Sequence, residues 1–516
     1  MLEDKLEQDF GTIPELVRYH AQVAPDRVAL INESRQLTYR EFDALCDRVA
    51  ASLQRDAVAP QSVIAVCALS SLEYAALFLG ALRTGIAVSP LAPSSTPESL
   101  AVMVADCASP LLFLDASTEP ILREVDPKVA RITLDGSAGG TPFAQWLMHD
   151  GAKPKPVTIE PSWPFNIIYS SGTTGVPKGI VQSHGMRWQH VRRANLFGYG
   201  PHAVSIISTP LYSNTTLVSF FPTLALGGTA VLMKKFDASK FLHLAQKHRA
   251  THAMLVPVQY SRIMTLPDFD TYDLSSFQMK FSTSAPFNAA LKADILKRWP
   301  GGLVEYYGMT EGGGTCILAA HEFPDKLHTV GRPSEGHDIR LIDENGQEVG
   351  PGEIGEIVGH SAGMMNGYHN QPDKTAEAEW RDATGKCFIR TGDVGRFDAD
   401  GFLQLMDRRK DMIISGGFNI YPSDLEAVIA SHPDVAEASV IGVPSEAWGE
   451  TPIAFVVLRE GSHTSAETLR EWANSRLGKT QRLNAVEVVD ALPRSAIGKV
   501  LKRELRDEWI ASGRHA

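Results

Sequence analysis

The sequence has no hydrophobic run that approaches the roughly 18 uninterrupted apolar residues of a membrane-spanning helix. Its most apolar stretch, Tyr74–Leu82, contains a glycine and is followed by Arg83, which predicts a buried helix. The first residues are charged and lack the apolar core of a signal peptide. We therefore expect a cytoplasmic protein without a membrane span.

Cysteine is scarce, and no two cysteines have the Cys-x-x-Cys spacing of zinc or redox motifs. The five cysteines are expected to be reduced core thiols. Excess positive charge is also absent: the net charge is −11, which disfavours a nucleic-acid partner. The 516 residues, 44% hydrophobic and 21% charged, predict a globular protein of two or more domains.

The first part of the chain alternates short apolar runs with helical patterns, such as Ser70–Thr84. This alternation predicts βαβ units and parallel sheets, and hence an α/β fold. The runs that predict buried strands are Val63–Ala68, Ile86–Leu91, Leu111–Leu114 and Val204–Ser208.

From Thr329 the pattern changes to hairpin-like β structure, and a charged segment, Asp407–Asp411, follows. Beyond it, helices are predicted at Pro422–Ser431 and Ala466–Arg476 between apolar strand patterns. We expect a large N-terminal domain, residues 1–409, and a small α+β domain, residues 410–516.

A loop rich in glycine and hydroxyl residues follows an apolar run at Ile167–Tyr169. Its backbone N–H groups, hydroxyls and lysine are suited to binding a polyphosphate. It is not a Walker loop, because Pro177 precedes the lysine and Gly179 follows it. The candidate ligands are Ser170, Ser171, Gly172, Thr173, Thr174, Gly175 and Lys178.

This loop resembles the signature of the acyl-adenylate-forming superfamily, in particular 4-coumarate–CoA and 4-chlorobenzoate–CoA ligases. The resemblance extends from about Thr12 to Arg506. It implies a large N-terminal domain of parallel sheets with flanking helices and a β-barrel-like subdomain, and a small mobile α+β C-terminal domain. It also implies ATP, Mg²⁺ and coenzyme A as co-reactants of a small carboxylic acid. A homodimer is compatible with the sequence.

Further motifs match the family in order. In Tyr306–Glu311, the resemblance implies that Tyr307 stacks on adenine, Thr310 contacts the α-phosphate and Glu311 binds magnesium. Asp393 is then the ribose ligand, and Arg408 contacts ribose or phosphate. The hinge is implied at Lys410, and Ser284 and Ala285 occupy the place of the adenine loop.

The end of the chain resembles the family's final motif, in which Lys499 reaches the reacting carboxylate and phosphate. A cation there offsets the repulsion of two anions. Gly416 and Gly417 are implied to line the tunnel for the pantetheine arm of coenzyme A, near Trp448. The basic segment that binds the coenzyme A phosphate in the family retains one cation here, Arg482.

The acid pocket is expected around the segment Thr209–Thr216. Three glycines after Glu311 are expected to leave room for a flat ring or an extended chain, and we favour an aromatic or arylpropenoic acid, with a medium-chain fatty acid as the alternative. A dicarboxylate such as malonate would require an arginine, and the pocket segment has none. The expected lining is Tyr212, Asn214, Thr215, Ser282, Ser284, Gly312, Gly313, Gly314 and Thr315.

Other classes agree less well with the sequence. An amino-acid adenylation module needs an acidic partner for the substrate ammonium, and the pocket segment has no carboxylate. A luciferase-like oxidase has no residue in its favour, and a non-enzymatic scaffold would not need the loop, Glu311, Asp393 and Lys499 together. Transfer of the acyl group to an amine or a carrier protein stays open as an alternative to coenzyme A.

Overall fold

The computed structural model describes residues 2–126, 128–170, 177–408, 411–415, 418–445, 448–478, 481–495 and 500–513, without the side chains at 407, 408, 418 and 419. The chain divides into two compact units. The first contains Met1–Asp338 and Gly359–Ile389, and the second contains Ile339–Val358 and Arg390–Ala516. No helix in the described ranges is long and apolar enough to cross a membrane.

The described strands, numbered along the chain, are β1 (Val28–Ile31), β2 (Gln36–Thr38), β3 (Val63–Cys67), β4 (Ala87–Pro90), β5 (Leu111–Leu114), β6 (Ala130–Thr133), β7 (Thr141–Pro142), β8 (Pro164–Ser170), β9 (Lys178–Ser183), β10 (Val204–Ile207), β11 (Thr229–Leu232), β12 (His252–Leu255), β13 (Met279–Ser282), β14 (Gly302–Tyr307), β15 (Cys316–Ala319), β16 (Arg332–Pro333), β17 (Asp338–Ile342), β18 (Gly355–His360), β19 (Gly367–Tyr368), β20 (Glu379–Arg381), β21 (Cys387–Phe397), β22 (Leu403–Arg408), β23 (Ile413–Ser415), β24 (Phe418–Ile420), β25 (Val435–Ser445), β26 (Gly449–Leu458) and β27 (Ala485–Val488).

The described α-helices are α1 (Leu2–Leu6), α2 (Ile13–Val23), α3 (Tyr39–Arg55), α4 (Leu72–Arg83), α5 (Pro97–Asp106), α6 (Phe143–Trp146), α7 (His184–Ala194), α8 (Asn214–Ala225), α9 (Ala238–Lys247), α10 (Pro257–Met264), α11 (Ala289–Arg298), α12 (Pro372–Glu377), α13 (Pro422–Ala430), α14 (Ala466–Asn474) and α15 (Lys502–Ala511).

Two large sheets form the first unit. In the described residues, one has nine strands in the order β16-β15-β14-β13-β12-β10-β11-β1-β2, and the other has eight in the order β19-β9-β8-β4-β3-β5-β6-β7. The central neighbours pair in parallel, as in β12–β13–β14 and β4–β3–β5. Strand β3 is buried along its whole length, as its apolar run predicted. The expected α/β fold of the large domain is confirmed.

Local sequence signals explain how the helices begin. The side chain of Ser71 accepts a hydrogen bond from the backbone N–H of Tyr74 at 3.1 Å and caps α4, in which all residues except Glu73 are buried. Ser183 caps α7 in the same way through the N–H of Met186. Helix α4 thus spans the core of the first unit, as predicted from its apolar run.

The second unit contains a five-stranded sheet of β24-β23-β26-β25 with β27 beside β26. Its core contains residues of α13 and α14, including Leu425, Ile429 and Leu469. The expected small α+β domain is therefore present. The region predicted to be β-barrel-like forms another five-stranded sheet, β17-β18-β21-β20 with β22 beside β21.

The compact units do not divide at residue 409. The second unit also includes residues 339–358 and all residues from Arg390 onward, so it holds β22 and most of β21. The boundary between 409 and 410 stays a prediction about where the chain pivots. The five cysteines are free, and all except the partly buried Cys387 are buried, as expected for core thiols.

Candidate active site

The predicted phosphate loop joins β8 to β9, which pair as an antiparallel hairpin. Ser170 and Lys178 are register partners at the end of this hairpin, so the two ends of the loop lie side by side. Ser171, Gly172, Thr173, Thr174 and Gly175 lie outside the described residues. The hairpin therefore places the predicted phosphate lysine directly at the base of the loop.

Tyr368 connects this lysine to the predicted magnesium ligand. The ammonium of Lys178 lies 5.0 Å from the centroid of the Tyr368 ring, and the Tyr368 hydroxyl donates a hydrogen bond of 2.9 Å to Oε1 of Glu311. Burial and the charge of Glu311 raise the pKa of Tyr368, so its hydroxyl keeps its proton. Tyr368 pairs with Ile180 in β9, and no sequence signal identified it.

The environment of Glu311 is compatible with a magnesium ion bound together with ATP. Its carboxylate is partly accessible, and its backbone carbonyl accepts a hydrogen bond from the N–H of Met365 at 2.8 Å. The described residues contain no group of three or more histidines, cysteines, aspartates or glutamates that could hold a metal. Magnesium commonly uses one or two carboxylates and completes its shell with phosphate oxygens and water, and Glu311 fits this role.

The adenine and metal motifs leave the same edge of the nine-stranded sheet. Strands β13 and β14 are parallel neighbours, with Ser282 opposite Glu305, so the segments after them start side by side. Ser284 and Ala285 follow the first strand, and Thr310 follows the second. The carboxyl edge of a parallel sheet is the usual place for a ligand.

The adenine segment also touches the predicted acid pocket. Ser284 has a left-handed backbone with a φ of 79°, and its Oγ lies 2.5 Å from Oγ1 of Thr215. Ser282 is buried, and its hydroxyl has no hydrogen-bond partner in the described part of the chain. Tyr212 and Asn214 are partly accessible at the start of α8. These contacts bring the two predicted groups of ligands together.

Gln182 was not identified from the sequence, yet it links the predicted acid pocket to the predicted nucleotide motif. Its side-chain amide donates to the carbonyl of Thr310 at 2.7 Å and to Oδ1 of Asn214 at 3.3 Å. The residue lies on β9, four positions after Lys178. One short strand therefore carries the phosphate lysine and this connecting amide.

The expectation that the glycines after Glu311 leave open room is wrong for two of them. A Cβ atom on Gly312 would lie 2.0 Å from the carbonyl oxygen of Gly363, and one on Gly313 would lie 2.6 Å from Cβ of Ile389. Gly312 also has a φ of 75°. These glycines allow close approach of neighbouring chain segments.

In the second unit, the predicted ribose and phosphate ligands lie on adjacent strands. Asp393 of β21 is the register partner of Arg408 of β22. The N–H of Asp393 donates to Oγ1 of Thr391 at 3.0 Å, and the Thr391 hydroxyl donates to the carbonyl of Ile357. Pairing thus brings together two residues that the resemblance implied as nucleotide ligands from separate motifs.

The other predicted residues are less well defined by the fold. Trp448 is 61% exposed, an unusual state for such a large aromatic side chain, and Arg482 is exposed. Lys410, Gly416, Gly417 and Lys499 lie outside the described residues. Their roles stay predictions.

Comparison with known proteins identifies the family. Residues 17–369 match the AMP-binding enzyme model, and residues 424–499 match the model of the AMP-binding enzyme C-terminal domain. The chain is 31% identical to the fatty acid–[acyl-carrier-protein] ligase ScoC of Streptomyces coeruleorubidus, with 98% of each chain covered. It is 31% identical to an indoleacetate–CoA ligase of Aromatoleum aromaticum, with 96% of this chain and 97% of that one covered. The ATP-bound structure of MatB from Rhodopseudomonas palustris superposes with a TM-score of 0.88 at 27% identity, covering 98% of this chain and 100% of that one.

The chain belongs to the AMP-binding enzyme family. It is an ATP-dependent, AMP-forming acid–thiol ligase, and ATP, Mg²⁺ and coenzyme A are the co-reactants of this class. The resemblance seen in the sequence is confirmed.

Proposed function

We propose that the protein converts a carboxylic acid to its acyl-adenylate and then transfers the acyl group to the thiol of coenzyme A. In the first step the carboxylate attacks the α-phosphorus of ATP, the bond to the bridging oxygen breaks, and pyrophosphate leaves. In the second step the thiolate attacks the acyl carbon and AMP leaves. Lys499 and Thr310 stabilise the charge that develops on the phosphate oxygens in the first step.

The observation that carries this proposal is the contact of Tyr368 with both Lys178 and Glu311. Its hydroxyl holds one carboxylate oxygen of Glu311, while its ring lies beneath the Lys178 ammonium. A phosphate chain needs both a cation and a metal ligand, and one side chain positions both groups at the base of the phosphate loop. Magnesium would be held by Glu311 and would neutralise phosphate charge.

Asp393 and Arg408 supply the nucleotide contacts of the second unit in this proposal. A carboxylate accepts hydrogen bonds from the two ribose hydroxyls, and an arginine donates to ribose or phosphate. Their cross-strand pairing supports this division of roles. The small domain is proposed to pivot at Lys410, bringing Gly416 and Gly417 to the thiol arm.

Coenzyme A is the acceptor that we propose, although a relative of similar identity uses an acyl-carrier protein. Support comes from the exposed Trp448, which is free to pack against a coenzyme A group, and from the indoleacetate–CoA ligase among the relatives. An amine acceptor is the remaining alternative. The use of ATP and coenzyme A supports the predicted cytoplasmic location.

For the acid, we propose an aromatic or arylpropenoic compound. The rings of Phe281 and Tyr306 stack with centroids 5.7 Å apart and planes 13° from parallel, next to the segments that carry Ser282 and Tyr307. Phe281 is buried, whereas Tyr306 is partly exposed, so the Tyr306 ring can present part of its surface to a flat ligand ring. A medium-chain fatty acid is the second candidate.

The proposal is tested by measuring pyrophosphate release over benzoates, cinnamates, fatty acids and amino acids, with and without coenzyme A. Adenylation with an aromatic acid and a thioester product in the presence of coenzyme A are expected. Turnover that requires an amino acid would contradict the proposed acid class. Pyrophosphate release that yields no thioester would contradict coenzyme A as acceptor.

A further inference from the structure

One face of helix α7 carries basic residues at helical spacing. Arg187, His190 and Arg193 are three residues apart, so their side chains leave the same side of the helix. His337, which precedes β17, contacts Thr315 of the predicted acid pocket and interacts electrostatically with His190 and Arg193. These residues all belong to the first unit. We call them the basic cluster.

Arg187 is the structural member of the basic cluster. It is 1% exposed, and its guanidinium donates to Oδ1 of Asn166 and Oδ1 of Asn214, both at 2.9 Å, and to Oε1 of Gln182. The guanidinium also lies 5.6 Å from the ring centroid of Phe165. These neighbours are neutral, and burial lowers the pKa of Arg187 to about 9. Its hydrogen-bond partners thus solvate the charge without neutralising it.

Arg193 has a different environment. Its guanidinium lies 5.6 Å from the ring centroid of Tyr306, and burial lowers its pKa. Among the described residues, we find neither a carboxylate within 4.0 Å of it nor an acceptor for its N–H groups. The side chain is nevertheless partly accessible. Arg193 therefore keeps N–H donors that the described part of the chain does not use.

The two histidines add neutral donors. Nδ1 of His337 accepts from the N–H of Thr315 at 2.9 Å, and Nδ1 of His190 lies 3.5 Å from Nη1 of Arg187. The bond from Thr315 places the proton of the neutral His337 ring on Nε2, and the guanidinium beside Nδ1 favours the same tautomer for His190. Burial and nearby cations lower the pKa of both rings, that of His337 to about 4, so both are uncharged at neutral pH. Neither shift has a carboxylate among its causes.

The basic cluster borders the predicted acid pocket on two sides. Arg187 contacts Asn214 at the start of α8, and His337 contacts Thr315 beyond the glycines. Arg193 lies against Tyr306, which stacks on Phe281. Two of these contacts connect basic residues to the expected lining, and the third connects Arg193 to Tyr306.

A cation that is removed from water and has no anionic partner is costly, and proteins commonly pair such groups. We propose that Arg193, with the Nε2–H groups of His190 and His337, binds a second carboxylate at the far end of the acid substrate. The substrate class is then a dicarboxylic acid, in which one carboxylate is adenylated and the other forms a charge-assisted hydrogen bond with Arg193. This inference rests on the proposed adenylation.

The sequence disfavoured dicarboxylates because the segment Thr209–Thr216 lacks an arginine, and in this proposal the arginine lies outside that segment. The arginine comes from α7, which packs beside that segment. The signal was present in the sequence as basic residues three positions apart. It could not be assigned to the pocket until the position of the helix was known.

The test compares matched acids. Values of kcat/KM for pyrophosphate release are measured with 4-carboxycinnamate against 4-methylcinnamate, and with straight-chain dicarboxylic acids from succinate to suberate against monocarboxylic acids of equal length. The full chain is used, and Arg193→Met, Arg193→Lys and Arg192→Met are compared with it. Arg192 is the exposed neighbour on the same helix and serves as the matched control.

A dicarboxylic acid is expected to be preferred over its matched monocarboxylic acid. Arg193→Met should lower kcat/KM for the dicarboxylic acid by about 10- to 100-fold, the usual effect of losing a charge-assisted hydrogen bond, and spare the monocarboxylic acid. Arg193→Lys should retain part of the preference, and Arg192→Met all of it. The melting temperature of Arg193→Met should equal or exceed that of the parent, because an unpaired charge is removed.

Equal use of both acids by the parent would overturn the inference while leaving adenylation intact. An equal loss with both acids in Arg193→Met, together with a lower melting temperature, would show a structural arginine and also overturn it. Absence of pyrophosphate release with every acid would contradict the proposed function itself.

Discussion

The hydroxyl of Tyr368 lies 2.9 Å from Oε1 of Glu311, and the ring of the same tyrosine lies beneath the ammonium of Lys178. Two residues predicted from separate motifs are thus positioned by a third that belongs to neither. The hydroxyl and the ring act on different partners, so their contributions can be separated by substitution.

Tyr368→Phe should weaken the response to magnesium. The variant keeps the ring under Lys178 but removes the donor that orients Glu311, and a hydrogen bond to a charged group contributes about 1.5–3 kcal/mol. We expect the Mg²⁺ concentration for half-maximal pyrophosphate release to rise about 10- to 100-fold, with recovery at high Mg²⁺.

The control for this variant is Tyr272→Phe. Its hydroxyl lies 3.4 Å from Oδ2 of Asp268 in an exposed position of the first unit, so the same atom is removed beside another carboxylate. It should leave the magnesium response unchanged. A magnesium response in Tyr368→Phe identical to that of the parent would show that this hydroxyl does not position Glu311.

Gly312→Ala should destabilise the first unit strongly. The backbone has a φ of 75°, and the new methyl would meet the carbonyl oxygen of Gly363 at 2.0 Å. Gly136→Ala is the matched control, since Gly136 has the same φ but no heavy atom near its Cβ position. Strain at a left-handed residue costs about 1 kcal/mol, and the overlap should add about 2 kcal/mol or more. Equal melting temperatures of Gly312→Ala and Gly136→Ala would contradict the close packing of Gly312 against Gly363.

Acid should destabilise the fold through His184. This ring is 3% exposed, and burial lowers its pKa from 6.5 to about 4. Between these values the unfolded chain binds a proton that the folded chain does not, so stability falls as pH falls through this window. Because of this residue, the free energy of unfolding near pH 5 should be about 2 kcal/mol lower than at neutral pH.

The measurement is urea unfolding at neutral pH and near pH 5 for the parent, His184→Met and His149→Met. His149 is exposed, so its replacement should leave the pH dependence as it is. His184→Met should reduce that dependence. If both variants follow the parent, His184 is not held neutral by burial.

Lys499→Ala should separate the two half-reactions. If Lys499 supplies the proposed cation between carboxylate and phosphate, its loss should lower acyl-adenylate formation by at least about 100-fold. Conversion of a pre-made adenylate to the thioester should continue, because that step does not need the lysine. Equal failure of both steps in a folded variant would contradict the use of Lys499 in one half-reaction.

Many of the strands and helices could be predicted because each is specified by residues that are close together in the sequence. The run Val63–Ala68 predicted a buried strand, and the structure has β3 at Val63–Cys67 with every residue buried. Helix α13 at Pro422–Ala430 begins where its proline predicted and ends within one residue of the expected end. Apolar runs, and residues that favour the start of a helix, predict such elements directly.

What could not be predicted depends on contacts between distant segments. Tyr368 is 57 residues from Glu311, and Gln182 is 128 residues from Thr310. The glycines after Glu311 suggested open space, but segments after residue 358 fill the space beside Gly312 and Gly313. The compact units likewise depend on strands that pair across long separations, so the charged segment at 407–411 was a poor guide to them.

The amide of Gln182 has a consequence for how this enzyme could change its substrate during evolution. Gln182 contacts both Asn214 and the carbonyl of Thr310. Substitutions at Asn214 or Arg187 in the predicted pocket should therefore also disturb the predicted nucleotide motif. Arg193 contacts Tyr306 and lies outside that hydrogen-bonded chain. We therefore expect substrate specificity to change through substitutions at Arg193. Gln182, Arg187 and Asn214 should be substituted together or stay unchanged.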